Sequence, residues 1–142
     1  MTISAKRIHR IRGEENPETA ARSASLEIVR HVPTDESGFP IGDVVFLGMG
    51  EDGHVASLFP NLTATCGDAD ASVYLSVVAS KPPPHRVTLS YDALRVAKEV
   101  WVLVSGPGKE EALAMSLSEN GNTPLARVLR SRRGTRIFTD IP

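Results

Sequence analysis

An acid and an imidazole stand close together in the stretch VVFLGMGEDGHVASLFP, Val44 to Pro60, where Asp52 and His54 flank Gly53. Histidine is the side chain best suited to moving protons near neutral pH. A carboxylate beside it can orient it, or can do no more than cap a helix. The same stretch spells G-x-G-x-x-G at Gly48, Gly50 and Gly53. Glycines after an apolar run that reads as a strand let backbone approach a ligand closely. A dinucleotide site would further need a long helix after the glycines and an acid about 20 positions on to hold a ribose. Pro60 limits any helix starting near Gly53 to about two turns, and Asp68 and Asp70 fall in a polar loop before a strand rather than at a strand's end. The nucleotide reading is therefore disfavoured, and the residues alone leave His54 open between a proton-transfer role at a strand end and a capping or surface histidine.

The elements that must position this site follow from apolar spacing. Asn16 suits a helix cap, Pro17 the first helical position and Glu18 the positive end of the dipole. Ala20, Ala24 and Ile28 then recur every four residues, widened by Ala21 and Val29, up to a stop at Pro33. PTDESGFPIGD reads as a loop. Val44 to Leu47 and Val100 to Val104 are short continuous apolar runs, as expected of strands covered on both faces. SVYLSVVAS, RVTLS and TRIFTD read as further strands. Helices are expected from about Asp92 to Lys98 and after Gly108, where Ala112, Leu113 and Leu117 form a stripe.

Alternating strands and helices predict a single α/β domain over residues 1–142. Its expected form is Rossmann-like and doubly wound, with a largely parallel sheet and helices on both faces. Such a sheet ordinarily opens on a strand, whereas this chain opens on a basic stretch and a helix, so the domain reads as incomplete on its N-terminal side.

Composition narrows the function classes. Sixteen basic and seventeen acidic side chains among 142 residues leave a net charge of −1, which forecasts no grip on nucleic acid or membrane. The local exception, RVLRSRRGTR, reads as a solvated helix end and loop. Cys66 is the only cysteine, so no internal disulfide forms and no zinc spacing exists. No apolar run nears the ~20 residues a membrane helix requires. A soluble, cytoplasmic chain is the expectation.

LGMGEDGHVASLFP resembles the signature of the 6-phosphogluconolactonases, through its Ser57-Leu58-Phe59-Pro60 ending. The related glucosamine-6-phosphate deaminases share the Gly-x-Gly-x-Asp-Gly-His core but place an acidic residue before the proline, where this sequence has Phe59. KPPPHRVTLSYDAL and VLVSGPGKEEAL are similar to two further segments of the same superfamily. The resemblance implies hydrolysis of 6-phospho-D-glucono-1,5-lactone to 6-phosphogluconate, with His54 as general base, Asp52 tuning it, and the Gly48, Gly50 and Gly53 loop lining the substrate. It implies that Arg86 and Lys109 hold the sugar phosphate, and Lys109, at a helix start after a glycine turn, suits an anion. It implies no metal or organic cofactor and a small phosphorylated lactone as partner. The resemblance runs from about Ile8 to Asp140. Family members are longer, opening on a strand and a Ser-Gly-Gly loop, with a later Asp-Glu-Arg segment, that have no counterpart here. The competing expectation is a truncated gene product that binds sugar phosphate, or pairs as a homodimer over an exposed sheet edge, without catalysis. A deaminase or isomerase is disfavoured by Phe59.

Overall fold

The computed structural model describes residues 3–62 and 72–141. Cys66, Asp68 and Asp70 lie outside the described residues. After a short 3-10 turn at Ala5–Arg7 come α1 (Pro17–His31), β1 (Val44–Gly48), β2 (Tyr74–Val78), β3 (His85–Leu89), α2 (Tyr91–Val96), β4 (Glu99–Val104), α3 (Glu110–Leu117), α4 (Pro124–Ser131) and β5 (Thr135–Thr139).

The start of α1 is built as its residues suggest. Asn16 Oδ1 accepts from the Glu18 and Thr19 N–H groups at 3.0 and 3.2 Å, a cap worth ~1 kcal/mol. Ala20 and Ala21 are buried, Ala24 and Ile28 half-buried, and Val29 turns out to solvent. Ser25 Oγ reaches across to accept from the Tyr74 N–H at 2.9 Å, tying α1 to β2.

The strands separate into two sheets. β1, β4 and β5 form a parallel sheet in the order β1-β4-β5, with Phe46 opposite Trp101 and Leu103 opposite Phe138. β2 and β3 pair antiparallel as a separate ribbon, Ser76 opposite Val87. The α/β class with a largely parallel sheet thus holds, while two of the five strands stand apart from it.

Alternation along β4 divides the parallel sheet. Val100, Val102 and Val104 point into the main core with Leu47, Leu58, Leu94, Leu113, Leu125 and Val128. The opposite face carries Val44, Phe46, Trp101, Leu103 and Phe138, of which Phe46 is 63% exposed. Helices on both faces were expected; among the described residues the aromatic face is left open, with Trp101 between Phe46 and Phe138 at 5.4 Å from each ring. On α3 the stripe is Ala112, Leu113 and Ser116, whereas Leu117 is exposed, because the helix ends there.

The arginine segment is more engaged than a solvated end. Arg132 donates to the Ala97 and Gly134 carbonyls and to Thr135 Oγ1. Arg127 sits 3.9 Å from the Tyr91 ring centre, and Arg136 bonds Glu99 across β4–β5.

Candidate active site

The Met49–Pro60 loop leaves the C-terminal end of β1, the end at which ligands of open α/β sheets bind. No helix follows Gly53. Two turns replace it, closed by Gly53 N–H on the Gly50 carbonyl (3.0 Å) and Leu58 N–H on the Val55 carbonyl (2.9 Å). Gly50 donates its own N–H to the His54 carbonyl at 2.9 Å.

Two of the three glycines are required by the fold of the loop itself. A Cβ on Gly50 would run into the His54 ring. Gly53 has φ +74°, and a Cβ there would lie 2.7 Å from Thr123 Cβ, so only glycine fits without strain. Gly48 alone has open space about it. The Gly50 and Gly53 N–H groups, being engaged inside the loop, are not free to serve as oxyanion donors.

Distant elements clamp the loop around His54. The Leu125 N–H at the start of α4 donates to the Gly53 carbonyl at 3.1 Å. Thr123 caps that helix through Ala126 N–H and shares a buried 2.6 Å bond with Ser116. On the other side, the Ser57 N–H donates to Thr88 Oγ1 at 3.0 Å. Thr88 and Arg86 lie on one face of β3 because side chains alternate along a strand, so the bond that fixes Ser57 also brings Arg86 to the loop.

Between these clamps Asp52 and His54 form a pair. Asp52 Oδ1 accepts from the His54 N–H at 3.2 Å and lies 2.5 Å from His54 Nδ1. With the proton on Nδ1 the ring donates to the carboxylate and leaves Nε2 as its basic nitrogen. Side-chain exposures of 20% for His54 and 31% for Asp52 keep the pair half-desolvated yet reachable by water. Burial pushes the Asp52 carboxyl up, but the bonds from the His54 ring and backbone, with the His54 and Lys81 charges, outweigh it and hold the group below its ordinary value.

The His54 ring stacks on Phe59 with centres 4.3 Å apart, and the Arg86 guanidinium lies 5.2 Å from the same Phe59 ring. Phe59, Lys81 and Thr123 are the neighbours that reasoning from residue types overlooked as site residues. Lys81 Nζ approaches Asp52 Oδ2 at 3.6 Å; only its place in the quoted Pro-rich segment pointed to it. Arg86 also organises that segment, its Nε donating to the Pro83 carbonyl and its Nη2 to the Lys81 and Pro82 carbonyls.

Lys109 occupies the N-cap position of α3, on the turn after β4. Because β4 neighbours β1, this turn borders the His54 loop, with Gly108 facing the Glu51 side chain. Asp140, which sequence reasoning did not single out, ties the same turn by accepting from Ser105 Oγ at 2.8 Å and the Gly106 N–H at 3.3 Å. Asp52, His54, Phe59, Lys81 and Arg86 therefore form one contact group, and Lys109 stands beside it on an adjoining loop, where its charge helps hold the Asp140 carboxyl below its ordinary value.

Residues 1–138 match the family described as glucosamine-6-phosphate isomerases/6-phosphogluconolactonase. The chain belongs to this family. It is 37% identical over 125 residues to 6-phosphogluconolactonase of Streptomyces coelicolor, covering 84% of this chain and 48% of that protein. It is 34% identical over 138 residues to 6-phosphogluconolactonase of Treponema pallidum, covering 94% and 55%. The fold is similar to the solved 6-phosphogluconolactonase of Trypanosoma brucei, with TM-score 0.71 and 30% identity over 85% of this chain and 50% of that one. The chain spans about half the length of the curated relatives it matches. Among the described residues, no helix of this lactonase-family chain is long and apolar enough to cross a membrane.

Proposed function

We propose that this chain, as the C-terminal portion of a 6-phosphogluconolactonase, hydrolyses 6-phospho-D-glucono-1,5-lactone to 6-phosphogluconate, a cytoplasmic reaction of the pentose phosphate pathway. The observation that carries the reading is the half-buried Asp52–His54 pair stacked on Phe59 at the end of β1. His54 Nε2 removes a proton from a water as its oxygen attacks the lactone carbonyl carbon, and the carbonyl electron pair moves onto oxygen. Collapse of the tetrahedral intermediate breaks the bond from that carbon to the ring oxygen, which takes the proton back from the imidazolium. Asp52 holds the ring's tautomer and orientation and stabilises its charged form. Arg86 and Lys109 anchor the phosphate, Lys109 aided by the N-terminus of α3.

Phe59 also argues against a deaminase, because a buried aromatic ring packed on His54 fills the place of an acid in that branch. A second reading, a chain that binds sugar phosphate or self-associates without catalysis, draws on the open aromatic face and the half-length match. Lactone hydrolysis by the chain alone, measured with its mass in solution, separates the two: turnover supports catalysis, and inactivity with self-association supports the second. In an active preparation, His54→Ala should lower kcat by ~10²–10⁴-fold with an unchanged circular-dichroism spectrum. Near-normal turnover in that variant overturns the general-base role.

A further inference from the structure

A second cluster of proton- and metal-competent side chains lies on the far side of α1. His9, from the segment before α1, and Glu27 and His31, one turn apart on the helix, turn their ligand atoms toward one point. Glu27 Oε1 lies 2.9 Å from His9 Nδ1 and 3.1 Å from His31 Nε2. The two imidazoles lie tilted by 35° to one another, with centres 4.1 Å apart.

We propose that His9 Nδ1, His31 Nε2 and a Glu27 carboxylate oxygen form a binding site for a late first-row divalent cation of the Zn²⁺ class, outside the His54 site. The spacing suits this chemistry. The three ligand atoms all lie within 4.8 Å of one another. Ligands at ~2.0–2.1 Å from a tetrahedral ion stand roughly 3.3 Å apart, so the two short contacts open by only a few tenths of an ångström to admit one. Two imidazoles and a carboxylate are a donor set for zinc, cobalt or nickel rather than for magnesium or calcium, which take oxygen ligands. Glu27 and His31 share a helix face because they are four residues apart, and His9 is already in place above them.

The three side chains are partly exposed, at 36%, 43% and 50% for His9, Glu27 and His31, so an ion reaches them from solvent and keeps a water as its fourth ligand. Arg10, Arg12 and Arg30 are the nearby opposing charges, lining the same concavity as His9 and Glu27. Binding would fasten the His9 segment onto α1, where Arg10 and Arg12 pair only with Glu14 and Glu15 of their own segment among the described residues.

The test is a titration of the whole chain with Zn²⁺ alone, with Co²⁺ as a spectroscopic substitute. One equivalent should bind, and His9→Gln and His31→Gln should each weaken binding at least tenfold. His85→Gln and Cys66→Ser should leave it unchanged. Paramagnetic Co²⁺ should broaden the His9 and His31 ring resonances of the unaltered chain first, a readout independent of whether any variant folds. Absence of binding overturns the assignment, as does binding that survives loss of both histidines, or broadening that falls first on His54 or His85.

Discussion

The two faces of the parallel sheet are built from the same strands yet meet different surroundings. Inward, Val100, Val102 and Val104 of β4 are sealed beneath α2, α3 and α4, with Leu125 fully buried among them. Outward, one residue along in each strand, Phe46, Trp101, Leu103 and Phe138 stay open and find contacts chiefly with one another. Parallel strands with apolar residues on both sides have the composition of a sheet covered twice, and among the described residues one cover is present. The difference teaches that the stability of this chain resides on one side of its sheet, while the other side is an apolar surface without a tertiary role in the structure described.

Paired truncations break or sharpen that contrast. The largest expected effect is at Leu125→Ala, which should lower unfolding free energy by ~2–5 kcal/mol through lost burial and a residual cavity, read from urea unfolding. Phe46→Ser on the open face should cost less than about 1 kcal/mol, because a largely exposed side chain loses little burial, while lowering any self-association seen by sedimentation. A Phe46→Ser loss equal to that of Leu125→Ala would mean the two faces are equally covered in solution.

The smallest effect belongs to the site at the sheet's end. The Asp52 carboxyl has its folded value depressed, so its contribution is fully present above its ordinary value near 3.8 and fades as pH falls through the lower folded value. Asp52→Asn should therefore lower the neutral plateau slightly and flatten the acid limb of a stability–pH curve below about pH 4, because the variant lacks the contribution that acid would otherwise remove. An unaltered acid limb would show that the carboxylate is not held by His54 and Lys81.

Much of the fold was legible because its signals are local. The Asn16-Pro17 start of α1, the apolar runs of β1 and β4, and the loop beyond His31 each depend on neighbours within a few positions. The GMGEDGH stretch placed Asp52 and His54 together for the same reason. What failed to show was non-local or ambiguous in period. An apolar run of five looks identical whether one or both faces are covered, so Phe46 and Trp101 gave no warning of exposure. Leu117 continued an apolar spacing that the end of α3 leaves in solvent.

Sequence alone thus determined which residues could transfer a proton and most of the segments that are helix or strand, α4 excepted, since both follow from side-chain chemistry and short-range periodicity. Tertiary structure decided that Thr123 and Thr88 grip the loop from opposite sides, that Lys81 and Arg86 close on Asp52 and Phe59, and that His9 meets Glu27 and His31. Those pairs are brought together by chain reversals and sheet order, and no spacing along the chain encodes a contact that arises only when separate elements pack.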